Sequence, residues 1–388
     1  MVEYLLATDE QRELAELAGQ ICEKELAPQI KALEAANNGL GAYPWDAHHK
    51  LADAGLYAMN VPKAYGGRDL GNVTRAMVME EISKTDCGFA FSFRGLGDKF
   101  DTILNSHISE EEKKAWAERI LRGDAGGAFA LTEPEAGSDA SALQSTAVKD
   151  GNEWVINGTK CMINNAGTAS YFGVFAWTDK SVSAGKGVTC FLVESDRDGV
   201  RIPEPDDMMG LKLMNCGGII LEDVRVPEDH IVGELGRGFS TAMGKLDVAR
   251  PFNAAFTCGA AQRAIDEAVK YANERKQFGK YIIEHQGIAF KLAELQMKVD
   301  AARAMLYYAM EAGDKGIPLG RLASATKAEA IELCVAVAFD AIQILGGYGV
   351  RKEYPLEKIL RDLRAYTVMG GTGEIQRKIV AKTMMIKH

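Results

Sequence analysis

Apolar positions near the start of the chain recur at helical spacing. Leu14, Leu17 and Ile21 step by three and four, and Cys22 and Leu26 extend the same face before Pro28. The stretch Pro62-Lys-Ala-Tyr-Gly-Gly67 reads as a turn. Helical periodicity resumes over 75–85 and 88–105. In the second run Phe89, Phe93, Leu96, Phe100 and Ile103 or Leu104 mark one apolar stripe. From about 125 to 232 the pattern changes. Trp154-Val-Ile156, Tyr171–Trp177, Val188–Val193 and Gly218–Leu221 read as strands, and Asp150-Gly151, Asn157-Gly158 and Asp198-Gly199 as turns. Turns without intervening helices predict an antiparallel barrel or sandwich. Past Gly233 the helical period returns, with long runs at 254–274, 285–312 and 319–345 that suit a bundle. The Gly-x-x-Gly-x-Gly run at 233–238 follows no nucleotide fingerprint and reads as a loop. The expected organisation is an α+β chain of three domains: helical (1–122), central β (123–232) and C-terminal helical bundle (233–388).

Composition narrows the class. The chain has 388 residues, 47% hydrophobic and 26% charged, as expected of an ordinary globular enzyme. A net charge of −9 with dispersed basic residues argues against a nucleic-acid surface. The first ten residues lack a basic leader pattern, which leads to the expectation of a cytoplasmic protein. Cys334–Leu345 is interrupted by Asp340 and too short to span a bilayer, so no integral membrane segment is expected. Seven cysteines, an odd number without a Cys-x-x-Cys pair, suit free thiols in a reducing compartment. Adjacent His48 and His49 cannot converge on one helix face, and no metal site is expected.

Five motifs point to chemistry. Thr132-Glu-Pro-Glu-Ala-Gly-Ser-Asp139 is a broken loop offering hydroxyls and backbone donors. Asn157-Gly-Thr-Lys-Cys-Met-Ile-Asn-Asn165 follows it. Leu246-Asp-Val-Ala-Arg250 opens the last helical region. Glu274-Arg-Lys-Gln-Phe-Gly-Lys280 with Gln286 offers a guanidinium fork suited to phosphate. Gln343-Ile-Leu-Gly-Gly-Tyr-Gly349 permits close backbone approach to a bulky anion. With Met369-Gly-Gly-Thr-Gly-Glu-Ile-Gln-Arg377, these stand in the order of the flavin-dependent acyl-CoA dehydrogenases, and the chain resembles that family over its whole length. The resemblance implies FAD as cofactor. It assigns Leu131 and Thr132 to the flavin ring, and Gly137 and Ser138 to flavin phosphate and acyl-CoA. Met162 and Asn164 fall where the family strand passes flavin N5. Arg275, Gln277 and Phe278, with Gln286, Gln343, Gly346, Gly347, Thr372 and Glu374, complete the implied FAD set, the first of these reaching a neighbouring subunit's cofactor. Asp247, Arg250, Ser138 and Gly371 are implied contacts of the acyl-CoA substrate. A homotetramer and an electron-transferring flavoprotein as acceptor are implied as well.

The resemblance fails where the family keeps its base. The Glu that removes the substrate α-proton matches Gly370, and the alternative family position matches Ala249. Arg94, Asp98 and Asp101 sit at i, i+4 and i+7 and would share one helix face, distinct from the phenylalanine stripe. Asp98, or with less support Asp101, is therefore the expected relocated base, its pKa raised by apolar walls. A small family branch that handles alicyclic acyl-CoA thioesters uses such an Asp. Three alternatives stand beside it: an enoyl-CoA reductase, a glutaryl-type enzyme in which Arg94 holds a distal carboxylate, and a non-catalytic FAD- and CoA-binding protein. An exposed Arg94–Asp98 surface pair is the plain structural alternative.

Overall fold

The computed structural model describes residues 6–35 and 43–385. Its first region contains α1 (Asp9–Ile21), α2 (Ile30–Ala35), α3 (Trp45–Asp53), α4 (Asn72–Thr85), α5 (Cys87–Gly97), α6 (Phe100–Leu104) and α7 (Glu110–Leu121). Reciprocal capping boxes, Thr8 with Gln11 and Ser109 with Glu112, start α1 and α7. Leu17 does not share the core face, because Ala15 and Ala18 occupy it and Leu17 is 39% exposed. Phe89, Phe93, Leu96, Phe100 and Ile103 are buried as the stripe requires.

The run over 88–105 is two helices, not one. Gly95 and Gly97 weaken the helix, and α5 ends with Asp98 as its C-cap. A Cβ at Gly97 would lie 2.8 Å from the Ala58 nitrogen, so this crossing needs glycine. The break removes Asp101 from the face of Arg94 and Asp98. Asp101 instead pairs with Lys245 at 3.0 Å.

The middle region holds β1 (Gly127–Ala130), β2 (Thr146–Asp150), β3 (Glu153–Ile163), β4 (Tyr171–Trp177), α8 (Ala184–Gly187), β5 (Val188–Glu194), β6 (Val200–Arg201) and β7 (Gly217–Pro227). The strand order is β1-β4-β2-β3-β7-β6, with β5 also on β4. The antiparallel expectation needs correction: β1 and β2 each pair with β4 in parallel, so the sheet is mixed. Asp150-Gly151 turns β2 into antiparallel β3. Asn157-Gly158 is not a turn but lies inside β3, at a shift of register against β7.

The last region holds α9 (Gly238–Glu274), a small hairpin of β8 (Lys276–Gln277) and β9 (Lys280–Tyr281), then α10 (Gln286–Asp314), α11 (Gly320–Leu345), α12 (Leu356–Tyr366) and α13 (Gly373–Lys382). α9 starts well before residue 254, and so carries the Asp247–Arg250 motif on a helix that continues through Pro251. α11 is long and apolar enough to cross a membrane. Here it packs against α9, α10 and α13, and its Asp340 meets Lys291 at 3.0 Å.

Buried polar ties join the regions around one continuous core. Glu80 of α4 accepts from Arg303 Nε at 2.5 Å and Tyr307 at 2.8 Å, both on α10. Asp362 of α12 accepts from the Leu211 backbone at 2.6 Å and from Lys358 at 2.5 Å, while Lys358 also meets Asp86 at 2.7 Å. These bonds tie α4 to α10, and α12 to the start of α5 and to the middle region.

Candidate active site

The candidate site is built around α5. Asp86 caps it, accepting from the Phe89 backbone at 2.7 Å. Phe91 meets the Phe256 ring of α9 at 5.5 Å and the Tyr366 ring of α12 at 5.9 Å. On another side, Ser92 donates to the Asn165 side chain, whose amide returns a bond to the Ser92 carbonyl at 3.3 Å. A Cβ at Gly95 would come within 3.0 Å of Asn165 Nδ2. The end of β3 is thus held directly against the middle of α5.

Asp98 is not part of a surface pair. Its side chain is 10% exposed, and Arg94 and Arg75 beside it are 11% and 9% exposed. Arg75 comes from α4 and reaches Asp98 Oδ2 at 2.5 Å. Arg94 reaches the same oxygen at 2.6 Å. No hydrogen bond reaches Asp98 Oδ1 from the described residues. Both guanidinium groups lie over the Phe252 ring of α9, Arg94 at 3.6 Å and Arg75 at 5.0 Å. The expected upward pKa is also corrected. Burial pushes the Asp98 carboxyl up, but Arg75, Arg94 and Lys99 together hold it below the ordinary value. Burial lowers Arg94 to about 10, so it remains charged at neutral pH.

The corner at 369–372 lies beside the next residue of α9. Gly370 has φ +63° and Gly371 φ +96°. A Cβ at Gly370 would meet Asn253 Nδ2 at 3.3 Å. Gln376 donates to the carbonyls of Gly370 and Gly371 at 3.1 and 3.0 Å, and Lys327 Nζ to that of Gly371 at 2.8 Å. Arg250 points its Nε toward the Gly370 carbonyl at 3.5 Å and binds Asp247 at 2.6 Å. Ala249 is half-buried beside it. Arg94 and Gly370 therefore flank neighbouring residues, Phe252 and Asn253, on one helix.

The implied FAD residues fall into two groups. Leu131, Thr132, Met162 and Asn164 belong to the sheet region, joined where the Cys161 amide donates to the Thr132 carbonyl at 3.1 Å. Met162 projects with φ +53° and is 55% exposed. Gly137 and Ser138 are exposed on the adjoining loop, and a Cβ on Gly137 would meet nothing. A second group lines a cleft of about 630 Å³, including Arg275, Gln277, Phe278, Gly346 and Gly347. Added Cβ atoms at Gly346 and Gly347 would also meet nothing, which leaves backbone open to a ligand. Gln286 and Gln343 lie on the helices that flank the cleft, and Glu374 is exposed on α13. Thr372 caps α13. Phe278, at the hairpin tip, is 94% exposed. Uncovered Met162 and Phe278, glycine-floored space and a guanidinium at the cleft fit a large planar, anionic cofactor.

Two supporting residues were not singled out from the sequence. Lys160 of β3 is wholly buried and donates to Glu133 at 2.7 Å, the Phe175 carbonyl at 2.6 Å and the Leu131 carbonyl at 3.3 Å. Glu133 also binds the backbone amides of Gln144 and Ser145. Together they hold the loop between β1 and β2 onto the sheet. The signal was a lysine at an inward position of an alternating strand. Arg75 was missed because α4 is buried on several faces and shows little amphipathic pattern.

A helical region, a mixed sheet and a helical bundle, in that order along one chain, are the three-domain architecture of a flavoprotein oxidoreductase. Family models agree along the chain: the acyl-CoA dehydrogenase N-terminal domain matches residues 8–124, the middle domain 128–224 and the C-terminal domain 236–385. A 3-(aryl)acrylate reductase from Clostridium sporogenes is 36% identical, over 97% of this chain and 99% of its own length. An acyl-CoA dehydrogenase from Bacillus subtilis is 34% identical, over 97% and 98%. The structure of butyryl-CoA dehydrogenase from Megasphaera elsdenii superposes with a TM-score of 0.92 at 32% identity, covering 98% of this chain and all of that one. The chain belongs to the acyl-CoA dehydrogenase family and is an FAD-dependent oxidoreductase.

Proposed function

We propose that the protein oxidises an alicyclic acyl-CoA, a cyclohexane- or cyclohexene-carboxyl thioester, with Asp98 as the base. The observation that carries this reading is the buried Asp98 carboxylate, whose Oδ1 accepts no hydrogen bond from the described residues, combined with the lack of an acid at Gly370 and Ala249. Asp98 lies on another wall from residue 370, so it would address another substrate carbon. The small residues Ala249 and Gly370, where the family carries an acid, would leave width for a ring. Asp98 Oδ1 would accept the proton, while Asp247, Arg250, Ser138 and Gly371 would hold the CoA thioester. Bound FAD supplies the acceptor for the hydride.

A second reading draws on the name of the Clostridium relative, a reductase of arylacrylates. Reduction needs a proton donor, and the group that accepts the proton in oxidation would donate it in reduction, so Asp98 serves either direction. A glutaryl-type reading is less well supported, because Arg94 already has a carboxylate partner. Anaerobic flavin bleaching by a panel of acyl-CoAs tests the reading. The expected result is bleaching by cyclohexane- or cyclohexene-carboxyl-CoA and not by straight-chain thioesters. Bleaching by straight-chain thioesters alone would overturn it. Oxidation of the reduced flavin by an arylacrylyl-CoA alone would establish the reductase. A flavin unaffected by every thioester would favour the non-catalytic reading.

The two groups of cofactor residues suggest that one FAD is shared between copies. Phe290, Met297 and Tyr308 of α10 and Phe339 of α11 are exposed and offer apolar surface for a homotetramer. Replacing Phe278 with Ser is expected to lower the FAD retained per chain through gel filtration, with helical content unchanged. Electron-transferring flavoprotein is the proposed acceptor. The seven free thiols suit a cytoplasmic location.

A further inference from the structure

We infer that Arg75 is a positioning residue for Asp98: it ties Oδ2 from a separate helix and leaves Oδ1 as the oxygen that would meet the substrate. This inference rests on the reading of Asp98 as base. The geometry is specific to α4. Asp314 of α10 caps this helix through the Asn72 and Val73 amides at 2.6 and 3.0 Å. Arg75, one turn further on, is buried against Phe252. Its Nη2 reaches Asp98, and its Nη1 makes a longer contact with Asn72 at 3.4 Å. Its Nε is buried without a partner. Asp98 is therefore the strong anchor of this guanidinium.

Arg94 cannot perform the same task alone. It lies on the helix that Asp98 terminates, so the pair moves together. Arg75 comes from a separate helix and fixes the carboxylate from outside. The groups facing Asp98 are Arg75 from α4, Arg94 and Lys99 from its own segment, and the Tyr57 phenol. Asn60 touches only its backbone carbonyl, at 3.4 Å. Beyond them, Asp101 and Lys245 satisfy each other. Loss of Arg75 thus removes a direct cation from the carboxylate and leaves burial opposed by Arg94 and Lys99.

The test compares Arg75→Met and Arg75→Lys with the unaltered holoprotein. Anaerobic flavin reduction by cyclohexene-carboxyl-CoA is followed against pH. The acidic limb should move up by about one to three pH units in Arg75→Met, and return largely toward its original place in Arg75→Lys. A second measurement needs no substrate: infrared titration of the protonated-carboxyl band. Arg75→Met should gain such a band at higher pH, and Arg75→Met/Asp98→Asn should lose it. An unmoved band in folded Arg75→Met overturns the inference, whatever the catalytic result. A moved band with full activity in Asp98→Asn would keep the electrostatic pairing and reject Asp98 as base, and with it the positioning role.

Discussion

Replacing Asp98 with Asn should slow flavin reduction by the true substrate about 10²- to 10⁴-fold, the usual contribution of a positioned acid–base group. The side chain keeps its size and loses only the ability to accept the proton. FAD content should stay near one per chain, because none of the implied cofactor residues binds Asp98. One complication is predictable. The neutral amide would leave Arg75 and Arg94 buried without a carboxylate, and breaking such a pair costs about 3–5 kcal/mol. Arg75→Met/Asp98→Asn removes one of the stranded charges and should melt higher than Asp98→Asn alone. If both variants fold and reduce flavin at the normal rate, Asp98 is not the base. Stopped-flow absorbance in the absence of oxygen measures the rate, and a thermal melt separates it from stability.

The second large effect is on the loop between β1 and β2. Lys160→Met should destabilise the protein by about 3–5 kcal/mol, because Glu133 is left charged in a buried site. Two backbone amides and Ser145 would still bind Glu133, but its cation would be gone. The pH dependence gives the sign. In the intact protein burial pushes the Glu133 carboxyl up, yet Lys160 and the hydrogen bonds hold it below its ordinary value. That contribution is present above the unfolded-state pKa and is lost as pH falls through the folded one. In Lys160→Met, burial acts without the cation and the carboxyl should rise. The stability gap between variant and parent should therefore narrow as the solution is acidified. Lys160→Met/Glu133→Gln should recover part of the loss at neutral pH. Melts between acid and neutral pH, with bound flavin absorbance recorded alongside, check both statements. A constant gap across that range would remove the charge explanation.

Much of this architecture could be read from periodicity. Tyr171–Trp177 is a strand with those limits, and the phenylalanine stripe at 89–103 is buried throughout. The three regions follow because strand and helix periods segregate along the chain. Sequence spacing could not show that Gly97 crosses against Ala58. It therefore treated 88–105 as one helix and put Asp101 beside Asp98. Nor could it show parallel pairing of β1 with β4, since parallel and antiparallel strands use the same residue types. The family and its cofactor were legible because the motifs are contiguous in sequence. Arg75 was not, because its partner is 23 positions away on another helix. The sign of the Asp98 shift depends on that partner, so the sequence pointed to the carboxylate while misjudging the direction of its pKa.

The glycine corner also bears on how this chain could change over time. Gly370 sits in left-handed backbone, where a residue with a side chain carries a cost of roughly 1–2 kcal/mol. Its neighbour Gly371 does too, and a Cβ there would lie 2.7 Å from Gln376 Nε2. A single codon change introducing glutamate at 370 would therefore place an acid in a loop now shaped for its absence. Such a change has a stability threshold to cross before it gains any chemistry. A proton acceptor at this corner therefore depends on stability gained elsewhere in the chain, so the order in which substitutions arise decides whether it can be reached.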